Sequence, residues 1–413
     1  MKNAVVLVLI LVVGVYGPQQ SLHSRYDALW AMGALVLAAY ILQRAAERVR
    51  LPGIVGWIGA GLLLGSSGLR LAGSQDLAAL HLVRTLAALW VGFQVGIHFW
   101  WPKGFGWRGS ALVGSATLVA LAAITAGIWA LSGVPLGMAL LLAGLGSLWG
   151  LFTLQPNPAR RGALMLAAVG SGFSLVLLLG VLALLWGNGL VPVGGLHLGL
   201  RLAISPFAGA LGALACRRLG LFEARNQALT AGLFAAFFVS ALLISHWHLV
   251  ALPFGFGAGV ALVRQPLPAR RLRFFLRSLS PVAFATYFAL MGATLELGVL
   301  RQPLPDLWVV LLVEVVVLVT VRVLGPALWY PSGLPSAGAR RHLGWLLLPK
   351  GALLFELLYH PVDGLAELLE GERGLLLHQA ALGDILIFAL VFASVAVAIP
   401  HRWLDLRPAH APA

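Results

Sequence analysis

Four side chains in the second half of the chain, Glu314, Arg322, Lys350 and Glu356, could do chemistry inside an apolar environment. Each stands within a run of apolar residues, where a charge is costly and is kept for a partner or an ion. An acid in such a place can hold a proton and a monovalent cation in turn, because both compete for one negative site. A buried arginine or lysine instead needs an anion or backbone carbonyls to face. The first half offers no comparable acid, because no aspartate or glutamate occurs between Asp76 and Glu223.

The elements that must position these groups follow from composition. The 413 residues are 60% hydrophobic and 10% charged, with mean hydropathy +0.93. A soluble domain of that profile would expose far too much apolar surface. Apolar runs of about 15–25 residues recur along the chain, the length that crosses a bilayer as a helix. Alternating segments of about ten residues, the mark of an outer-membrane barrel, do not occur. The expectation is an all-α polytopic membrane protein of 13–14 transmembrane helices. The spans read at 3–16, 27–43, 53–66, 77–99, 110–131, 135–154, 162–186, 196–216, 227–245, 247–263, 280–298, 306–330, 342–359 and 375–399.

The net charge of +14 does not indicate nucleic acid, because the arginines are scattered among short loops, where they set orientation. With Lys2 in the cytoplasm and strict alternation, one side collects Arg44, Arg48, Arg50, Lys103, Arg108, Arg160, Arg161, Arg217, Arg218 and Arg225. The same side holds the basic run from Arg264 to Arg277, then Arg340, Arg341, Arg402 and Arg407. The other side has only Arg25, Arg70, Arg301 and Arg373, the last in an acidic loop. This predicts a multi-pass protein of the cell (inner) membrane with a cytoplasmic C-terminus.

Residues 1–26 are read as an extra N-terminal helix or a signal-like segment, the retained helix being favoured because Gly14-Val15-Tyr16-Gly17 is a poor cleavage site. Residues 27–400 form the membrane domain and 401–413 a cytoplasmic tail. Arg264 to Leu279, with its alternation of arginine and apolar side chains, reads as a basic connector at the membrane interface. Cys216 is the one cysteine and has no disulfide partner in the chain. His246 and His248 flank Trp247 with no third ligand in sequence reach, so no metal site is expected. No phosphate-binding glycine motif is present. The chain is not read as an enzyme, and no cofactor is expected.

Glycine-rich wording carries the next step. The span Leu51-Pro52-Gly53 to Gly65 has small residues that let helices approach closely. With Phe93-Gln94-Val95-Gly96-Ile97-His98, Ala258-Gly259, Phe288 to Leu297 and Leu348-Pro349-Lys350-Gly351, it resembles, in order and spacing, the monovalent cation/proton antiporter superfamily. The resemblance is to the Kef-type and sodium/proton exchanger branches. It implies two inverted repeats, about 53–186 and 247–399, and two broken helices crossing near the midplane. Breaks are then expected at Gly144-Leu145-Gly146-Ser147 and at Pro349-Lys350-Gly351. It also implies a homodimer, and a monovalent cation and protons as substrates.

The departures are specific. The family's Thr-Asp-Pro or Thr-Ser-Pro at the first break is here Ser147-Leu148-Trp149. Its ion-binding aspartate on the next span falls near Ser171-Gly172, and the acid of its second motif is His98. Arg322 matches the family's basic residue, and Glu356 on the following span is its expected partner. Glu314 lies eight positions before Arg322, roughly 12 Å along the axis, too far for direct pairing without a third group. The coupling candidates are therefore Ser147, Ser171, Gly172, Glu314, Arg322, Lys350 and Glu356. Two readings follow: a sodium or potassium/proton antiporter working by alternating access, or a degenerate member that carries an anion or serves as a non-transporting sensor or partner subunit.

Overall fold

The computed structural model describes residues 25–99, 107–148, 161–188, 193–219, 226–263, 269–301, 304–324, 352–359 and 371–391. All regular structure among these residues is helical. In chain order the helices are α1 (Arg25–Arg48), α2 (Gly53–Leu64), α3 (Ser74–Ala79), α4 (His81–His98), α5 (Trp107–Ser132), α6 (Leu136–Gly146) and α7 (Arg161–Gly187). They continue with α8 (Val193–Arg218), α9 (Asn226–Trp247), α10 (Ala251–Val263), α11 (Ala269–Thr294), α12 (Pro305–Val319), α13 (Ala352–Leu358) and α14 (Gly371–Asp384). Four of them are long and apolar enough to cross a membrane by themselves: the stretches Ala28–Arg48, Val113–Ser132, Ala167–Gly187 and His197–Arg218.

The motif glycines are where helices touch. α4 lies on α10, with Gly92 and Gly96 against the carbonyls of Leu252 and Phe256, and Gly255 and Gly259 against those of Leu89 and Phe93. A Cβ at any of these four would run into backbone. α2 lies on α11 in the same manner, through Gly61, Gly65 and Gly292. Lipid tails give helices no hydrophobic reason to associate, so close backbone packing of small residues supplies the attraction. The α2–α11 contact is closed by polar bonds: Ser66 N and Oγ both donate to Ala293 O at 3.1 Å. Ser67 Oγ donates to Leu295 O and accepts from Leu297 N. Trp57, 1% exposed, stacks on Phe288 and donates to Gln43 Oε1 at 3.1 Å.

Two expectations are corrected, and one break falls where it was expected. Span 77–99 divides at Leu80 into α3 and α4, because Asp76 accepts from Gly73 N at 3.0 Å and caps a separate short helix. The helix in the span read at 135–154 stops at Gly146, inside the break expected at Gly144 to Ser147, and 149–154 lie outside the described residues. From Ala269 the basic connector is already helical and runs into the following span as α11, with Pro281 inside it. Arginine and leucine are good helix formers, so the helix has no reason to stop before the span begins. The first segment (1–24), the break at Pro349-Lys350-Gly351 and the tail 401–413 lie outside the described residues.

Candidate functional site

α6 has 11 residues, which rise about 16 Å, half of a bilayer's apolar thickness. Its last carbonyls have no donors within the helix, and in hydrocarbon they must find donors elsewhere. The Ser147 hydroxyl turns back to Gly144 O at 3.0 Å. The Ser147 carbonyl accepts from Ser174 Oγ of α7 at 2.9 Å and from Arg322 Nη2 at 2.8 Å. The same Arg322 nitrogen donates to Leu148 O at 2.8 Å. Arg322 is thus the C-terminal cap of a half-helix, in the way basic side chains satisfy terminal carbonyls elsewhere.

Arg322 arrives from α12 on a π-helical turn, Thr320–Leu324. Such turns widen a helix by one residue and are frequent at functional sites. Two turns earlier, Glu314 is 2% exposed and presses its carboxylate onto Gly146. A Cβ on Gly146 would stand 2.6 Å from Glu314 Oε1. Glycine at that position is what lets the acid reach the half-helix end.

A third charge completes the site. Asp384, 3% exposed, ends α14, and the chain continues as a π-helical stretch, Ile385–Val391. Both Asp384 and Glu314 act electrostatically on Arg322, Asp384 the more strongly. Gly383 seats α14 on α12, for a Cβ there would meet the Leu311 side chain at 2.7 Å. Among the described residues the site therefore has two carboxylates, one guanidinium and the carbonyl end of a half-helix, all buried.

Of the sequence-predicted residues, Ser147, Glu314 and Arg322 come together here. Ser171 is buried on α7 one turn before Ser174, the residue that reaches the Ser147 carbonyl. Gly172 lies on the exposed face of α7, with open space where a side chain would stand. Lys350 lies outside the described residues. Glu356 belongs to a different cluster, on α13, hydrogen-bonded to Tyr287 of α11 and facing Arg84 of α4. The expected partnership of Glu356 with Arg322 is therefore corrected. The end of α6 is the third group that joins Glu314 to Arg322 across the roughly 12 Å of axial rise. His98 spends its Nδ1 on the Gln94 carbonyl of its own helix, at 2.8 Å.

Two site residues escaped the reading of the sequence, Asp384 here and Arg84 in the Glu356 cluster. Both stand inside predicted spans, and a charge inside a span is itself the signal that should select them.

No known family profile and no curated protein sequence matches the chain. Among solved structures it is similar to the sodium proton antiporter MjNhaP1 from Methanocaldococcus jannaschii, determined at pH 8. The superposition has a TM-score of 0.62 at 16% identity and covers 92% of this chain and 98% of that one. At that identity the likeness establishes the fold alone. The chain is an all-α polytopic membrane protein with the fold of that antiporter.

Proposed function

We propose that the protein is a secondary transporter that exchanges sodium or potassium for protons by alternating access, at the site formed by Glu314, Asp384 and Arg322. One observation carries the reading. Among the described residues two buried carboxylates face one guanidinium, so with both acids ionised these three groups hold one negative charge in excess. A proton or a monovalent cation offsets that charge equally well, and the two exclude each other. The Leu148 carbonyl, which accepts one hydrogen bond from Arg322, gives a desolvated cation a further oxygen ligand, as interrupted membrane helices do.

The superfamily resemblance, with its Kef-type wording, and the antiporter fold support the class. Inverted repeats over 53–186 and 247–399 gain support from reciprocal packing: α2 on α11 and α10 on α4 are equivalent pairs under that correspondence. It also equates α7 with α14, and Ser174 and Asp384 stand at the same offset from their helix starts. In this reading the missing aspartate of the first repeat is replaced by acids of the second. The homodimer, the inner membrane and the cytoplasmic C-terminus belong to the same proposal. An anion carrier would need an uncompensated Arg322, and here the guanidinium already faces two carbonyls and two acids.

The test is proton flux in proteoliposomes under imposed pH gradients with sodium, potassium or choline. Cation-dependent proton movement, lost in Glu314→Gln and in Asp384→Asn, is expected. Its absence from the unaltered protein would overturn the proposal and leave the non-transporting alternative.

A further inference from the structure

The Glu356 cluster is separate from the half-helix site and has its own chemistry. Glu356 is 7% exposed, and its Oε1 has no hydrogen-bond partner among the described residues. A buried carboxylate oxygen left in that condition is expensive unless the group changes protonation or takes up a ligand. Its carboxyl group is hydrogen-bonded to the Tyr287 hydroxyl, and Arg84 supplies the countercharge. The same Tyr287 hydroxyl is 3.2 Å from the Ala352 carbonyl. One phenolic proton therefore has two acceptors, one of them titratable.

From this geometry we infer that Glu356 is a second proton-binding site, switched by Tyr287 and reached from the Glu296 end of the bundle past Tyr359 and His378. With Glu356 ionised, Tyr287 O–H donates to the carboxylate. When the carboxylate takes up a proton, its new O–H donates to the tyrosine oxygen and the tyrosine O–H turns to Ala352 O. Each state leaves every donor with an acceptor. The only group transferred is the proton, and no other bond breaks. A carboxylate fixed by a plain donor would lose its partner on protonation; this one does not.

The approach is lined by groups that pass protons. Glu296 is exposed at the end of α11. Tyr359 is hydrogen-bonded to the Glu296 backbone, and its hydroxyl lies 3.1 Å from His378 Nε2 on α14. Tyr359, the residue that follows α13, stands about one turn after Glu356 and on the same side. Its carbonyl accepts from Arg84 at 3.4 Å, while the Arg84 guanidinium lies over the Phe355 ring at 5.9 Å. Among the described residues His81, one turn before Arg84 on α4, also acts on this cluster, through Arg84. The cluster is linked to the half-helix site through α14, because His378 and Asp384 are six positions, roughly 9 Å of rise, apart.

The inference rests on the proton-exchange reading for its physiological role, whereas proton binding at Glu356 is measured without transport. The experiment is pH-difference infrared spectroscopy of the purified full-length protein in detergent, read at the C=O stretch of protonated carboxyl groups. Glu356→Gln is expected to lose one such band, and Glu314→Gln to keep it. Tyr287→Phe is expected to shift that band and covers the case in which Glu356→Gln does not fold. His378→Gln and Tyr359→Phe are expected to slow its deuterium exchange, on the order of a hundredfold for loss of a positioned proton carrier. A spectrum unchanged by both Glu356→Gln and Tyr287→Phe would overturn the site, and unchanged exchange in both relay variants would overturn the route. If the Glu356 band is present while liposomes show no cation-dependent proton flux, the transport reading falls and the proton site stands. If flux is normal and the band is insensitive to both switch variants, the reverse holds.

Discussion

Both buried clusters set an arginine beside acid, and they differ in what the arginine holds. Arg322 is bound at 2.8 Å to the carbonyls of Ser147 and Leu148, just past the end of α6. Arg84 reaches one carbonyl at 3.4 Å and otherwise lies over an aromatic ring. The first guanidinium is part of the scaffold, and two acids share its field. The second is a loosely held countercharge for one acid. On the readings proposed above, a fixed cation with surplus acid takes up a further positive charge, whereas a balanced pair beside a tyrosine loads and unloads a proton.

The largest effect that separates the two is on stability. Arg322→Met leaves the Ser147 and Leu148 carbonyls and two carboxylates without their cation. Loss of one partner from a buried charged network costs about 3–5 kcal/mol. Arg84→Met removes one weak bond and a countercharge, and its expected cost is about 1–3 kcal/mol. Thermal unfolding in detergent, followed by tryptophan fluorescence, checks the ranking. Equal losses would mean that Arg322 is not the cap its geometry makes it. Arg322→Lys sharpens the point: it keeps the charge, but an ammonium lacks the planar fork, so stability should recover only in part.

Transport divides the clusters next. Glu314→Gln and Asp384→Asn each remove the surplus charge and are expected to abolish cation-dependent proton flux. Ser171→Asp in the Glu314→Gln background places a carboxylate on the buried face of α7, one turn from Ser174. Partial recovery of flux there, and none from Gly172→Asp on the exposed face, is the expected outcome.

Hydropathy made most of the architecture legible, because a bilayer allows few solutions for a backbone without water. Gly61, Gly96, Gly259 and Gly292 were readable for a related reason: only small residues permit the backbone approach these contacts need. The first break was legible at Gly144 to Ser147. Partnership was not. Which acid meets Arg322 depends on two π-helical segments and on the seating of Gly383 against Leu311, and no pattern of spacing encodes those. Asp384 stands between an amphipathic α14 and an apolar run, so its neighbours disguise its depth. Ser174 looked like any serine in a span until the Ser147 carbonyl gave it a task.

Gly146→Ala and Gly172→Ala make the same change in two settings. At Gly146 the new Cβ meets the Glu314 carboxylate, and overpacking of this kind costs about 1–3 kcal/mol. It should also raise the cation concentration for half-maximal flux, since the acid is pushed from the half-helix end. At Gly172 nothing stands within 4 Å of the added carbon. Alanine there should be neutral or stabilise the helix by up to about 1 kcal/mol. Unfolding temperatures and flux for the pair decide whether Glu314 is held where it matters.

The smallest expected effect tests how the half-helix end is shared. Ser147 O accepts from both Ser174 and Arg322. Ser174→Ala removes the neutral donor and leaves the charged one, so the carbonyl stays satisfied. The net cost of one such hydrogen bond is about 0.5–1.5 kcal/mol, and the lower end applies if Arg322 alone suffices. A double-mutant cycle of Ser174→Ala with Arg322→Lys isolates the sharing. Because a lysine holds the carbonyls less well, the serine should count for more in the lysine background than in the arginine one. Strict additivity would mean that the two donors act on the carbonyl independently, and that Arg322 alone does not define the end of α6.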